Sequence, residues 1–216
     1  MTSPRSLTRG ILVALEGIDG AGKSTQAQRL ASIFSTQGYP VASFREPTQS
    51  PWGRRLREAM ATGRRVLAPS QELDLFLQDR HYDVTVNLLP ALAACQLVFL
   101  DRYYFSTMAY QGALGIDPEY IRRLNETFAP VPDLVFILLI PPAEALRRIR
   151  QGRAQTADAF EREDYLLRVD EIFRTLRGSS IHHIAAEQHS EMVTQVLQEK
   201  IQRCLNAVPP IQSSAL

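Results

Sequence analysis

The sequence predicts a three-layer α/β fold built on a five-stranded parallel sheet. Five short apolar runs, rich in Val, Ile, Leu and Phe, alternate along the chain with longer amphipathic segments. Near-continuous apolar runs are typical of strands that are covered on both faces, and their alternation with helices indicates parallel strands joined by right-handed crossovers. The predicted strands cover residues 11–16, 41–45, 97–101, 134–140 and 181–185.

The segments between these strands have the apolar spacing of helices. The first predicted helix stops before Gly38, a typical C-terminal signal, and another begins at Pro141-Pro142, where a missing N–H does no harm. The predicted helices cover residues 24–37, 72–94, 118–128, 142–150, 160–176 and 191–206.

Length and composition indicate one domain. The chain has 216 residues, of which 24 are basic and 23 acidic, and 45% are hydrophobic. We expect a flexible N-terminal tail over 1–9, a single domain over 10–206 and a loose C-terminal tail over 207–216. The balanced charge argues against nucleic-acid binding. The absence of a run of 18 apolar residues argues against a membrane span. Two cysteines, Cys95 and Cys204, favour a reducing, cytoplasmic setting.

A phosphate-binding loop follows the first predicted strand. Residues 17–24 read Gly-Ile-Asp-Gly-Ala-Gly-Lys-Ser, which is the P-loop pattern G-x-x-x-x-G-K-S between a strand and a helix. Its glycines allow backbone N–H groups to approach phosphate oxygens. Lys23 reaches the β- and γ-phosphates, and the hydroxyl of Ser24 is placed to ligate Mg²⁺.

The rest of the chain narrows the class of P-loop protein. A GTPase switch needs Asn-Lys-x-Asp, but the only later lysine, Lys200, lies between Glu199 and Ile201. The third strand ends in Asp101-Arg102, at the sheet edge where ligands bind in open α/β folds. The alternative role for Asp101 is the N-cap of a following helix.

Two further positions fit a second, acceptor substrate. Arg45 ends the second strand and is placed to bind an anion, although a surface ion pair with Glu46 is the alternative. Phe76 and Arg80 share a helix face, where a ring and a guanidinium suit a planar base. Spacing alone favours the plainer interpretation, a core Phe and a solvated Arg.

Residues 147–177 form an arginine-rich segment. Residues 151–157 are polar, and we expect a mobile loop that closes over a nucleoside triphosphate and neutralises charge. The alternative is a pair of exposed helices whose arginines pair with Glu161, Glu163 and Asp164. The eight arginines of this segment are Arg147, Arg148, Arg150, Arg153, Arg162, Arg168, Arg174 and Arg177.

Over residues 10–205 the chain resembles the bacterial thymidylate kinase family. Four motifs occur in the family's order: Asp19-Gly20-Ala21 in the P-loop, Arg45-Glu46-Pro47, Phe76 to Arg80, and Asp101-Arg102-Tyr103 followed by Ser106 and Ala109-Tyr110-Gln111. The resemblance implies the P-loop nucleoside-monophosphate-kinase fold and the phosphorylation of dTMP by ATP with Mg²⁺. It also implies a homodimer and a lid at about 147–165.

The resemblance also implies the role of each motif residue. Asp19 faces the acceptor, Arg45 and Arg102 bind its phosphate, Phe76 stacks on thymine, and Arg80 bonds a thymine carbonyl. Tyr110 crowds the sugar 2′ position, Ser106 and Gln111 line the same pocket, Asp101 supports the metal, and residues 185–188 border adenine. The implied ATP-binding residues are Gly17, Ile18, Asp19, Gly20, Ala21, Gly22, Lys23, Ser24 and Thr25.

Some members of this family carry a basic residue inside the P-loop, where this chain has Gly20, and others supply it from the lid. The catalytic arginine implied here is therefore Arg153 or Arg150, acting with Lys23, Arg102 and Asp19. Ala159 stands where many relatives carry a lid arginine. Residues 48–50 are Thr-Gln-Ser where many have Gly-Gly-Thr, which leaves room for a shifted acceptor. The alternatives are another small nucleotide or deoxynucleoside kinase, or a nucleotide sensor without turnover.

Overall fold

The computed structural model describes residues 4–61, 67–152 and 159–207, without the side chains of 61, 150–152 and 159–162. The strands are β1 (Ile11–Glu16), β2 (Val41–Arg45), β3 (Leu97–Asp101), β4 (Leu134–Leu139) and β5 (Ile181–Ala185). The helices are α1 (Lys23–Thr36), α2 (Pro51–Ala61), α3 (Pro69–Asp83), α4 (Leu89–Ala93), α5 (Tyr104–Gly112), α6 (Pro118–Glu126), α7 (Pro142–Gly152), α8 (Ala159–Thr175) and α9 (Ser190–Ala207).

The sheet confirms the predicted fold class. All neighbouring strands are parallel, in the order β2-β3-β1-β4-β5. Every residue of β1 and β3 is buried, so both faces of the sheet are covered, as their apolar sequences predict. Among the described helices, none has the length and apolar character that crossing a bilayer requires.

Two helices were not expected from the sequence. Helix α5 is buried at nearly every position, including its polar residues Ser106, Thr107 and Gln111, so no exposed polar face marks it as amphipathic in the sequence. Helix α2 carries Gly53 at its third position, a residue of low helix propensity.

The long helix expected over 72–94 is interrupted. It begins earlier, at Pro69, and α3 passes through a π-helical turn, Val84–Leu88, into α4. Pro90 lies in the first turn of α4. A proline has no N–H and its ring meets the carbonyl one turn before it, so the wider turn accommodates it.

The N-terminal segment is packed against the domain where it is described. Leu7 of the expected loose tail is only 8% exposed. The Arg5 backbone N–H donates to the carbonyl of Gly38 at 2.9 Å, and its guanidinium donates to the Tyr39 hydroxyl at 2.7 Å. Residues 5 and 7 therefore belong to the folded unit, since Arg5 binds the turn after α1 and Leu7 packs in the core. Residues 1–3 and 208–216 of the two expected tails lie outside the described residues.

A buried ion pair joins the end of β2 to three helices. Arg80 of α3 is 1% exposed, and its guanidinium donates to the Glu46 carboxylate through Nε and Nη2. It also donates to the Thr107 hydroxyl of α5 at 3.1 Å and to the Asn125 amide oxygen of α6 at 2.7 Å. Burial raises the pKa of Glu46, and the Arg80 guanidinium opposes that rise.

We predict that Glu46→Ala lowers the free energy of unfolding by about 3–5 kcal/mol, because it leaves the guanidinium of Arg80 buried without its counter-charge. The double variant Glu46→Leu/Arg80→Met removes both charges and is expected to recover much of that loss. Urea unfolding curves measure both effects, with the exposed Glu58→Ala as control. Equal losses in the single and double variants would show that the pair does not carry this stability.

Candidate active site

The strand register brings the predicted site residues to one edge of the sheet. Arg45 at the end of β2 pairs with Asp101 at the end of β3, and Leu15 of β1 pairs with Asp101 from the other side. The loops that follow β1, β2 and β3 therefore start side by side. This is the carboxyl edge, where open α/β sheets bind ligands.

The P-loop begins directly after β1, and its backbone conformation depends on its glycines. Gly17 has φ +130, and a Cβ on it would lie 2.4 Å from the carbonyl oxygen of Leu138 on β4. Gly20 has φ +83, and a Cβ there would lie 2.7 Å from the carbonyl oxygen of Ala145 on α7. A side chain at Gly20 would therefore require both a strained backbone and a displaced helix.

Lys23 is held inside this loop. It is 5% exposed, and its Nζ donates to the carbonyl oxygen of Ile18 at 2.8 Å. Burial lowers the pKa of Lys23 to about 7, and the positive charge of Arg102 acts in the same direction. An anionic phosphate in the loop would favour the charged ammonium, because an opposite charge at close range stabilises it.

Ser24 and Asp101, the expected metal ligands, are in direct contact. The Ser24 hydroxyl donates to Asp101 Oδ2 at 2.5 Å. Asp101 Oδ1 is buried and has no hydrogen-bond partner among the described residues. The N-cap of α5 is Tyr103 and no side chain caps it, so the alternative role of Asp101 as a helix N-cap is wrong.

Arg102 links the P-loop to helix α5. It adopts φ +72, a left-handed backbone conformation that is unusual for a residue with a side chain. Its Nη2 lies 2.5 Å from Asp19 Oδ1, and its Nη1 donates to the Ser106 hydroxyl at 3.1 Å. Its guanidinium lies over the Tyr110 ring, 5.3 Å from the ring centre, and the Tyr110 hydroxyl accepts from the Asp19 N–H at 3.1 Å.

Sequence reasoning missed Glu16, which holds this turn in place. Glu16 is fully buried at the end of β1, and its carboxylate accepts from the Tyr103 N–H at 2.8 Å and from the Ser106 hydroxyl at 2.5 Å. Burial raises the pKa of Glu16 to about 7, against the hydrogen bond from Ser106. A charged residue that ends an otherwise apolar strand was the available signal.

Arg45 remains available to a ligand. Its side chain is 64% exposed, and its Nε lies 3.6 Å from Asp101 Oδ2. The alternative pairing of Arg45 with Glu46 is wrong, because the Glu46 carboxylate is held by Arg80. The interpretation of Arg80 as a solvated residue, which spacing alone favours, is also wrong, because Arg80 is 1% exposed.

The residues expected to bind the base lie on α3 and α5. Phe76 is half-buried on the α3 face that also carries Arg80. Gln111 of α5 is 2% exposed, and its Nε2 donates to Glu72 Oε2 at 2.8 Å. The Gln111 Oε1 is buried and has no partner within the described part of the chain. A buried acceptor without a partner costs about 1–3 kcal/mol of folding free energy. A ligand that donates a hydrogen bond to this oxygen would remove that cost.

A cleft opens beside the P-loop. It has a volume of about 280 Å³ and lies between Gly20–Gly22 and the loop after β5, where Ala186 and Gln188 line it. Arg148 of α7 borders the cleft, with Nη2 3.4 Å from the Ala186 carbonyl oxygen. The expected adenine-bordering residues 185–188 therefore lie next to the phosphate loop.

The lid is described only in part. Arg153 lies outside the described residues, and the side chains of Arg150 and Ala159 do as well. Arg147 and Arg148 both donate to Glu144 at 2.7 Å, so these two arginines are paired within α7. The role expected for Arg150 or Arg153 stays a prediction.

Comparison with known proteins agrees with this geometry. The sequence model of the family described as "Thymidylate kinase" matches residues 15–197. A thymidylate kinase of Desulfotalea psychrophila is 43% identical over 184 residues, which cover 85% of this chain and 90% of that protein. One from Akkermansia muciniphila is 45% identical over 185 residues, 86% of this chain and 88% of the relative. One from Xanthomonas campestris pv. campestris is 44% identical over 184 residues, 85% and 79% of the two chains.

These similarities extend over nearly the whole described domain, including the P-loop, the turn at Arg102 and the α3–α5 pocket. A family match over most of the chain, on a fold whose sheet edge gathers the four motifs, shows the relationship. The chain belongs to the thymidylate kinase family.

Proposed function

We propose that this chain transfers the γ-phosphoryl group of ATP to the 5′-phosphate of dTMP, giving dTDP and ADP. The observation that carries the proposal is the ion pair between Asp19 of the P-loop and Arg102 of the turn after β3. This pair joins a donor-phosphate loop to an anion-binding arginine. Two phosphate groups bound on either side of it would therefore lie close together, as in-line transfer requires.

On the donor side, the P-loop N–H groups and Lys23 bind the phosphates of ATP, and Thr25 lies in the adjoining cleft. Ser24 and Asp101 would hold Mg²⁺, and the buried, unpartnered Oδ1 of Asp101 fits this role. When bound, Mg²⁺ neutralises charge on the β- and γ-phosphate oxygens.

On the acceptor side, Arg45 and Arg102 bind the 5′-phosphate of dTMP. The exposed guanidinium of Arg45 and the fixed one of Arg102 provide donors in the paired geometry that suits phosphate. The acceptor needs no catalytic base, because the second pKa of a phosphate monoester is about 6 and the group is largely deprotonated at neutral pH.

Thymine lies between α3 and α5 in this proposal. Phe76 stacks on the ring. Arg80 has five N–H groups, and the bonds to Glu46, Thr107 and Asn125 engage four of them, so we assign the fifth to a thymine carbonyl. The unpartnered Oε1 of Gln111 accepts from the thymine N3–H.

The sugar is selected by Tyr110. Its hydroxyl is held by the Asp19 N–H, and Tyr165 donates to its backbone carbonyl at 2.9 Å. The ring is thus fixed beside Arg102, where it would crowd a ribose 2′-hydroxyl.

The two cysteines, Cys95 and Cys204, are both free thiols, in keeping with a reducing, cytoplasmic setting.

The proposed reaction predicts a specific order of acceptors. In a coupled assay of ADP release, we expect dTMP to be the best substrate, dUMP to exceed UMP, and dCMP and thymidine to be poor. Equal turnover of dUMP and UMP would contradict the role of Tyr110, and turnover of thymidine alone would contradict a phosphate acceptor.

Two variants test the phosphate-binding residues in the same assay. Lys23→Ala is expected to abolish turnover while the fold, read by circular dichroism, is retained. Arg45→Ala should raise the KM for dTMP far more than the KM for ATP.

The lid arginines Arg150 and Arg153 are the subject of a separate prediction about kcat. Gly20 brings no cation to the transferring group, and the nearby Ala145 carbonyl excludes a side chain at that position. We therefore expect Arg153→Ala or Arg150→Ala to lower kcat at least about tenfold with little change in the KM for ATP, because an arginine finger acts mainly in the transition state.

Our choice between the two is Arg153. Steady-state kinetics on the two single variants and the double variant test this, with Arg147→Ala as control because Arg147 is exposed and paired with Glu144. Wild-type kcat in the double variant would show that the lid supplies no catalytic charge.

We also propose that the protein forms a homodimer through the outer face of α3 and α4. Three apolar side chains are exposed there at helical spacing, Tyr82 (38%), Val86 (50%) and Leu89 (49%). A stripe that pairs with its own copy about a two-fold axis is the commonest form of homo-oligomer contact. Val86→Asp should therefore yield a monomer in light scattering, whereas Val131→Asp, an exposed valine before β4, should remain dimeric. A wild-type monomer at every concentration would contradict the proposal.

A further inference from the structure

Helices α3 and α5 are joined by two polar contacts with Phe76 between them. Glu72, Phe76 and Arg80 follow one another at four-residue spacing, so they share one face of α3. From α5, Thr107 meets Arg80 at 3.1 Å and Gln111 meets Glu72 at 2.8 Å. Phe76 lies on the same α3 face, one helical turn from each contact, and we call this part of the boundary between α3 and α5 the slot.

The contact between Glu72 and Gln111 fixes the direction of an amide. An ionised carboxylate has only acceptor atoms, so it orients the NH₂ group of Gln111 toward itself. The Oε1 of Gln111 must then face away from Glu72. That oxygen is buried and has no partner among the described residues, and Gln111 as a whole is 2% exposed. Without the carboxylate, the amide could turn over and present a donor instead.

We propose that Glu72 is the specificity-determining positioning residue for the nucleobase. It holds Gln111 so that the pocket offers an acceptor and not a donor. This inference rests on the proposed function, in which the base of the monophosphate occupies this slot. Thymine carries N3–H, which donates to the Oε1. Cytosine carries a bare N3, which is itself an acceptor and would leave two buried acceptors facing each other. Glu72 therefore excludes dCMP without touching the base.

The simpler role of Glu72 is to hold α3 against α5. The two roles differ in what a neutral, isosteric change does. In Glu72→Gln the new amide still bonds to Gln111, so the helices stay joined. However, it offers both a donor and an acceptor, and the Gln111 amide is then free to take either direction.

The experiment compares kcat/KM for dTMP and dCMP. In Glu72→Gln we expect the ratio of dTMP to dCMP to fall at least about tenfold, with most of the change in KM, since sites that hydrogen-bond a substrate group reject its absence by large factors. The matched control is Asp74→Asn, which removes the same charge from an exposed position on α3 and should keep the wild-type ratio.

A reciprocal exchange gives the sharpest test. Glu72→Gln/Gln111→Glu restores the net charge and places a carboxylate, which cannot become a donor, on the pocket side. The preference for dTMP should return in this double variant. It also carries the test if Glu72→Gln alone fails to fold, as judged by circular dichroism.

The outcomes distinguish a failure of the proposed function from a failure of the inference about Glu72. A wild-type protein that does not prefer dTMP to dCMP would contradict the proposed function at the base. A selective wild type with an equally selective Glu72→Gln variant would overturn the inference and leave Glu72 as a contact between helices. Loss of selectivity in Glu72→Gln without recovery in the reciprocal variant would likewise overturn it.

Discussion

The turn after β3 depends on one buried carboxylate, that of Glu16. Arg102 adopts a left-handed backbone conformation, which costs a non-glycine residue about 1–3 kcal/mol and persists only where the surroundings impose it. Glu16 imposes it, because its carboxylate holds both the Tyr103 N–H and the Ser106 hydroxyl on the far side of the turn. Burial of Glu16 is itself unfavourable, so the site combines two local costs that are offset by the packing of β1 and β3 around them.

The strand order explains why this arrangement is possible. β1 lies between β3 and β4, so its last residue adjoins the turn after β3 although 85 residues separate Glu16 from Asp101 in sequence. The P-loop begins one residue later, at Gly17, and therefore also lies beside the turn after β3. Asp19 consequently meets Arg102, and the P-loop and the turn after β3 are coupled through one ion pair.

The sequence predicted the strands better than the site. Apolar runs marked all five strands, most clearly the central strands β1, β3 and β4, because burial on both faces leaves almost no polar positions there. The partners of Arg80 could not be predicted, since Glu46, Thr107 and Asn125 are distant in sequence and only the folded packing brings them together. The same buried packing removed the amphipathic pattern from α5 and hid it. Long-range polar contacts carry no periodicity, so pattern reasoning finds their residues only where a motif is known.

The departure at residues 48–50 has a structural explanation in Asp79. This carboxylate is 1% exposed and accepts from the Thr48 N–H at 2.8 Å and from the hydroxyls of Thr48 and Ser50, each at 2.6 Å. Gly-Gly-Thr would supply a single hydroxyl in these three positions, whereas Thr-Gln-Ser supplies two. Because a buried carboxylate needs its oxygens satisfied, the changed residues fix the loop after β2 to α3. The two hydroxyls thus tie the loop that follows Arg45 to α3, and the guanidinium of Arg45 itself stays exposed.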